Sequence, residues 1–292
     1  MFWIFVLALC GATTANVERI SGGNLAALNQ FPSAVSIQHI SRADPSRFIQ
    51  GHICGGTLVT RSYVLTTGTC VHETHEPNSP LIILNQYRVF AGSVNLLENN
   101  MNRIRTPVNI TLHPNYIGPP ALVNNLALIG LNSAFGNEIT PVALPSAGSQ
   151  VPVMTQCYVA GWGAEDMRYT ESSLQRFVSK YVYDQHICSI QYNINSQMNL
   201  LPSMLCAASW DVVSSGCEGD IGNGLMCNGT LQGVLSVSTQ CRGNSVPEVY
   251  VRVADYTTWI RSVSGVASTF QPGMAALMII AILQFITVKI IS

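Results

Sequence analysis

The sequence predicts an all-β fold, an antiparallel sandwich or barrel held by disulfides and closed by a short C-terminal helix. Three observations predict it. From Ile20 to about Val253, short apolar runs rich in Val, Ile, Tyr and Thr recur between Gly, Pro, Asn and Ser, the pattern of many short strands. Of nine cysteines, all but Cys10 follow the N-terminal apolar segment, and an even number in an exported chain points to disulfides. Hydrophobic residues make up 48% of the 292 positions and charged residues only 10%, against about 25% charged in soluble domains generally. There is ample material for a core and little for surface ion pairs. A net charge of −1 gives no support to a nucleic-acid or polyanion partner.

Taken in order, residues 1–15 (MFWIFVLALCGATTA) are an apolar run ending in small residues, with Thr13 and Ala15 at the −3 and −1 places of a cleavage site. This reads as a secretory signal peptide without a basic start, too short to favour a membrane anchor. The strand-like runs are Ala34–Ile37, Gly56–Leu65, Leu126–Leu131, Cys157–Ala160, Leu231–Val237 and Val249–Val253. A polar, Pro-containing stretch from Asn132 to Pro152 links two halves, and Asp255–Ser262 reads as a final helix that turns Trp259 and Ile260 inward. There is no internal repeat, coiled coil or phosphate-binding glycine loop.

Residues 264–292 form a spacer and hydrophobic tail. Met274 to Val288 carries no charge before Lys289, short of the ~20 apolar residues of a spanning helix. The small residues Ser262–Ser268, a spacer with Gln271 and Pro272, and the apolar end form the pattern of a GPI-attachment signal. Attachment falls near Ser264 or Gly265; a short membrane anchor and the plain tail of a secreted protein are the alternatives. Asn109-Ile110-Thr111 and Asn228-Gly229-Thr230 are N-glycosylation acceptors. The eight cysteines Cys54, Cys70, Cys157, Cys188, Cys206, Cys217, Cys227 and Cys241 make four disulfides whose connectivity counting alone leaves open. Each contributes about 2–4 kcal/mol. With no C-x-x-C pair, a metal site is a weak reading of them.

Six segments, in order, carry a resemblance: ERISGGN, HICGGTLVTRSYVLTTGTC, CYVAGWG, CEGDIGNGLMC, LQGVLSV and PEVYVRVADYTTWI. Over roughly Ile20 to Ser262 the chain resembles the chymotrypsin/trypsin family of serine proteases. The resemblance implies a domain over residues 20–263 made of two six-stranded antiparallel β-barrels with an active site between them. It implies the pairing Cys54–Cys70, Cys157–Cys227, Cys188–Cys206 and Cys217–Cys241. It also implies that residues 16–19 are a short propeptide cut between Arg19 and Ile20. The freed Ile20 ammonium would then pair with Asp220 and order the second-barrel loops.

Acyl transfer in this family needs a hydroxyl nucleophile, an imidazole base and an orienting carboxylate. The base falls just before the second cysteine of the first barrel, which here makes it Thr69, with no proton acceptor near neutral pH. The carboxylate position is Asn125, shaped like Asp but uncharged, a change worth about 10⁴ in turnover in a family enzyme. The nucleophile position is Ile221, with no nucleophilic atom. Loss of the whole triad costs on the order of 10⁶ in turnover, leaving backbone polarisation at Gly219 and Ile221. His72 and His75 are offset from the base position, miss the H-E-x-x-H zinc spacing by one residue, and read as surface histidines on the following loop. In the specificity pocket Ser215 takes the base position. Ser238 and Glu248 take wall positions that are usually glycine, and Glu248 either fills the pocket or turns outward and distorts it.

The expectation is a non-catalytic serine protease homologue without cofactor or metal. It would be secreted or held on the extracellular face of the plasma membrane, binding an extracellular protein (a protease, inhibitor or substrate) without cleaving it. Residual or unorthodox hydrolysis and a structural or adhesion role are the alternatives.

Overall fold

The structure, a computed structural model, describes residues 23–42, 49–74, 78–98, 100–164, 173–196, 198–210, 215–217, 219–238 and 246–266. Following β1 (Asn24–Leu25), the first half supplies β2 (Ala34–His39), β3 (His52–Thr60), β4 (Tyr63–Thr66), β5 (Tyr87–Ala91), β6 (Ile104–Arg105), β7 (Pro107–Leu112) and β8 (Ala127–Leu131). Strands β2 to β8 form one antiparallel sheet in the order β6-β5-β2-β3-β4-β8-β7. The second half supplies β9 (Gln156–Gly161), β10 (Arg176–Val182), helix α1 (Gln185–Ser196), β11 (Met204–Ala208), β12 (Gly224–Cys227), β13 (Thr230–Val237), β14 (Glu248–Arg252) and helix α2 (Thr257–Ser264). Its sheet runs β1-β10-β11-β14-β13-β12-β9, and β10 pairs with β9 again. Six strands therefore close into a ring, and the two-residue β1 is added at β10. The first sheet likewise has six longer strands plus the two-residue β6, so the expected pair of six-stranded barrels stands with one short strand added to each.

Three apolar clusters hold this arrangement. Val35, Ile37, Leu58, Val64, Val89 and Ile129 fill the first barrel. Val159, Val178, Leu205, Leu225, Leu235 and Tyr250 fill the second. Leu65 and Leu128 of the first sheet meet Leu231, Val234 and Val251 of the second, with Ile260 of α2. Each such fully buried side chain contributes about 1.5–3 kcal/mol, so the third cluster fixes how the barrels face each other. No named strand lies between β8 and β9, and residues 132–152 make the crossing.

Some local expectations need correction. Gly56–Leu65 is not one strand: it breaks at Arg61 and Ser62 into the β3–β4 hairpin. The final helix runs Thr257–Ser264, two residues later than expected, after a 3-10 turn over Val253–Asp255. Gly265 ends it in the left-handed conformation, φ 70°, which glycine adopts freely. Helix α1 was not foreseen. Cys188, Ile190, Tyr192 and Ile194 alternate with other residues in a strand-like period, but the helix buries Cys188 and Tyr192, one turn apart. The Asp184 carboxylate caps it by accepting the Ile187 N–H at 2.9 Å.

Three of the implied disulfides are present: Cys54–Cys70, Cys157–Cys227 and Cys188–Cys206. Cys217 is also disulfide-bonded; its partner lies outside the described residues, as does Cys241. The signal peptide, Arg19, Ile20, His75 and the tail beyond residue 266 lie outside them too. Among the described residues no helix is long and apolar enough to cross a membrane.

Candidate functional site

The three positions singled out in the sequence come together where the barrels meet. Thr69 opens the 3-10 turn Thr69–Val71 that follows β4. Its backbone N–H donates to Asn125 Oδ1 at 3.0 Å, and its hydroxyl lies 2.9 Å from that of Thr67. Asn125 is fully buried just ahead of β8, and its Nδ2 donates to Ser236 Oγ of β13 at 2.9 Å. One amide thus ties the first barrel to the second. Ile221 packs its side chain against both barrel cores. Its carbonyl accepts the Gly55 N–H at 2.8 Å and lies 3.5 Å from the Cys70 sulfur.

A buried polar chain supports the segment before Ile221. Arg88 Nε donates to Gln38 Oε1 at 2.6 Å, and Gln38 Nε2 donates to Ser36 Oγ at 3.2 Å. Ser36 Oγ lies 2.7 Å from His52 Nδ1, and His52 Nε2 lies 3.0 Å from the Gly219 carbonyl. A carbonyl only accepts, so Nε2 carries the ring proton and Nδ1 accepts from the serine hydroxyl. Burial lowers the His52 pKa to about 4, which keeps the ring neutral around pH 7. Sequence reasoning assigned His52 no role, although it opens the HICGG segment two residues before Cys54.

Asp220 is buried, and its implied partner Ile20 lies outside the described residues. Oδ1 accepts the Gly163 N–H at 3.1 Å and Asn223 Nδ2 at 2.9 Å, and Oδ2 accepts the Cys217 N–H at 2.9 Å. Desolvation still raises its pKa to about 6. Asn223, also without an earlier role, fills space that glycines leave open. A Cβ on Gly55 would lie 1.8 Å from Asn223 Oδ1, one on Gly161 2.1 Å from its Nδ2, and one on Gly163 2.4 Å from Asp220 Cγ. Glycine is required at each, and the three come from both barrels.

The pocket positions resolve the alternatives left for Glu248. It is buried and turns inward. Oε2 lies 3.0 Å from Lys180 Nζ and accepts the Tyr250 hydroxyl at 2.5 Å, and Oε1 accepts the Gly216 N–H. Ser215 is buried, with no partner for its hydroxyl among the described residues. Ser238 is half-buried.

Beside Thr69 lies a cleft of about 310 Å³ whose lining includes His72, Thr74, Tyr116, Ile117 and Pro119. His72 is not a plain surface residue. It is half-buried, stacks on Tyr116 at 5.5 Å, and bonds the Gly68 carbonyl through Nδ1 at 2.7 Å. Both glycosylation acceptors are exposed, Asn109 within β7 and Asn228 at the tip of the β12–β13 hairpin.

Two facing barrels, with the Thr69, Asn125 and Ile221 positions at their junction, define a chymotrypsin-type protein. Comparison with known proteins agrees. The Trypsin family model matches residues 20–260. Trypsin, alkaline C, of Manduca sexta is 30% identical over 256 residues, covering 87% of this chain and 94% of that protein. Chymotrypsin-like elastase family member 1 of Canis lupus familiaris is 30% identical over 272 residues, covering 88% and 98%. The solved structure of neuropsin, a serine protease expressed in the limbic system of mouse brain, superposes with a TM-score of 0.68 at 25% identity, covering 83% and 98%. The chain belongs to the trypsin family.

Proposed function

We propose that this protein is a non-catalytic member of the trypsin family, secreted or held at the cell surface, that binds a protein partner through its cleft without cleaving it. One observation carries the reading. Thr69, Asn125 and Ile221 stand together at the barrel junction, where the Thr69 N–H donates to Asn125 Oδ1 and the Ile221 carbonyl lies 3.5 Å from the Cys70 sulfur. They supply no imidazole and no carboxylate, and the single hydroxyl among them, on Thr69, meets the Thr67 hydroxyl and not a base. Asn125 keeps the positioning bonds that hold the cleft together and lacks only the charge. Ile221 has become a packing residue between the cores. Removing a triad costs on the order of 10⁶ in turnover, and what remains comes from backbone dipoles and binding.

The retained framework is what a binding surface needs, since preorganisation limits the entropy lost on association. The related proteins bear the names of proteases, so hydrolysis is the reading to be tested against. Protein cleaved between Arg19 and Ile20 is expected to hydrolyse a broad peptide library no faster than a mock preparation, and to take no label from a fluorophosphonate. Covalent labelling at any cleft residue would overturn the proposal.

A further inference from the structure

The Lys180–Glu248 pair is spent on neither the barrel junction nor a surface. Lys180 lies on β10 between Val178 and Val182, the alternate positions that fill the second barrel. Its side chain and that of Glu248 are each only 2% exposed. A buried ion pair is weak support for a fold, because desolvation offsets the attraction, so its placement asks for another explanation.

The carboxylate lies against residues 215–217. Glu248 Oε1 accepts the Gly216 N–H. A Cβ added to Gly216 would lie 3.1 Å from that oxygen and 3.5 Å from Ser238 Cβ. Glu248 therefore fills space beside Gly216 that Ser238 also borders, and the adjoining Ser215 buries a hydroxyl without a partner among the described residues. Its charge is felt by Asp220, Tyr192 and Tyr250. Lys180 Nζ and the Tyr250 hydroxyl hold it from the barrel side.

We propose that this space is a latent site for an organic ammonium ion that the chain fills itself: Lys180, entering from the barrel interior, pairs with Glu248 and keeps the space closed to a partner's side chain. A partner is then gripped by the cleft's outer surface, not by side-chain insertion. The proposal rests on the reading of the cleft as a binding surface, and its test reads ligand uptake and not turnover, so either can fail without the other.

Lys180→Ala in the full chain removes the four-carbon stem and its charge. n-Butylammonium restores both, and 1-butanol supplies the stem alone. Calorimetric titration of the unaltered protein is expected to show saturable uptake of neither. The Lys180→Ala protein is expected to take up butylammonium saturably, about tenfold more tightly than butanol, a factor set by a single charge contact. Adding Glu248→Gln should abolish that preference. Saturable binding by the unaltered protein, or a folded Lys180→Ala protein without the preference, overturns the proposal. Should Lys180→Ala fail to fold, it is refolded with n-butylammonium or with 1-butanol present. Recovery of the folded protein with the ammonium and not with the alcohol supports the proposal, and equal recovery, or none with either, overturns it.

Discussion

Asn125 shows how a side chain can lose its chemistry and keep its place. The sequence exposes the missing charge. Only the structure exposes the two hydrogen bonds, to Thr69 and Ser236, because they reach 56 and 111 residues along the chain. The neighbouring pair His52 and Asp220 carries a prediction at the same scale. Burial lowers the His52 pKa from 6.5 to about 4, so its contribution to stability is present above 6.5 and lost as pH falls toward 4. Burial raises the Asp220 pKa from 3.8 to about 6, so its contribution is present below 3.8 and lost as pH rises through 6. Each shift is worth on the order of 3 kcal/mol, and over pH 4–6 the two oppose and nearly cancel. Urea unfolding between pH 4 and 6.5 should therefore show stability rising with pH in Asp220→Asn and falling with pH in His52→Gln. The same direction in both variants would refute the assignment.

At the scale of elements, β10 and β14 belong to one closed sheet but are not neighbours, since β11 stands between them. Lys180 and Glu248 bridge that gap inside the barrel. Replacing Lys180 by Met leaves an unpaired buried carboxylate and is expected to cost about 3–5 kcal/mol. Lys180→Met with Glu248→Leu should recover most or all of it, as paired replacement of buried ions by apolar residues does. Chemical denaturation of the two variants measures the difference. Reading strands from sequence worked where β-branched runs met turn residues, as at β2, β8, β9 and β13. It failed at α1, whose apolar residues alternate as in a strand while a cap at Asp184 and the Cys188–Cys206 disulfide hold a helix. Lys180 was invisible for a related reason: nothing local marks a lysine inside a barrel, and its partner is 68 residues away.

The molecule as a whole is two barrels joined through residues 132–152 and pressed together by the Leu65–Leu128–Leu231–Val234 cluster, with α2 closing the chain against it. The apolar residues beyond 266 lie outside the described residues; a GPI signal, a short membrane anchor and the plain tail of a secreted protein are the proposals for them. If the tail is exchanged for lipid near Ser264 or Gly265, a phosphatidylinositol-specific phospholipase should release the protein from expressing cells into the medium. Retention on the cells would refute lipid exchange and favour a spanning tail. Ser264 is buried, with its hydroxyl bonded to the Ile260 carbonyl at 2.6 Å, so Gly265, outside the helix, is the more accessible of the two positions.

The sequence by itself determined the all-β class, the motif order of the family, the pairing of three disulfides through that resemblance, and the chemical poverty of Thr69, Asn125 and Ile221. These depend on residue type and on distances along the chain, which a sequence carries directly. The tertiary structure alone decided that Asn125 still bridges the barrels, that Asn223 and Asp220 fill a cradle of three glycines, that His72 is stacked and half-buried, and that Glu248 turns inward to an internal lysine. Each of these is a contact between segments far apart in the chain. Long-range packing selects one such arrangement from many that the same local pattern allows.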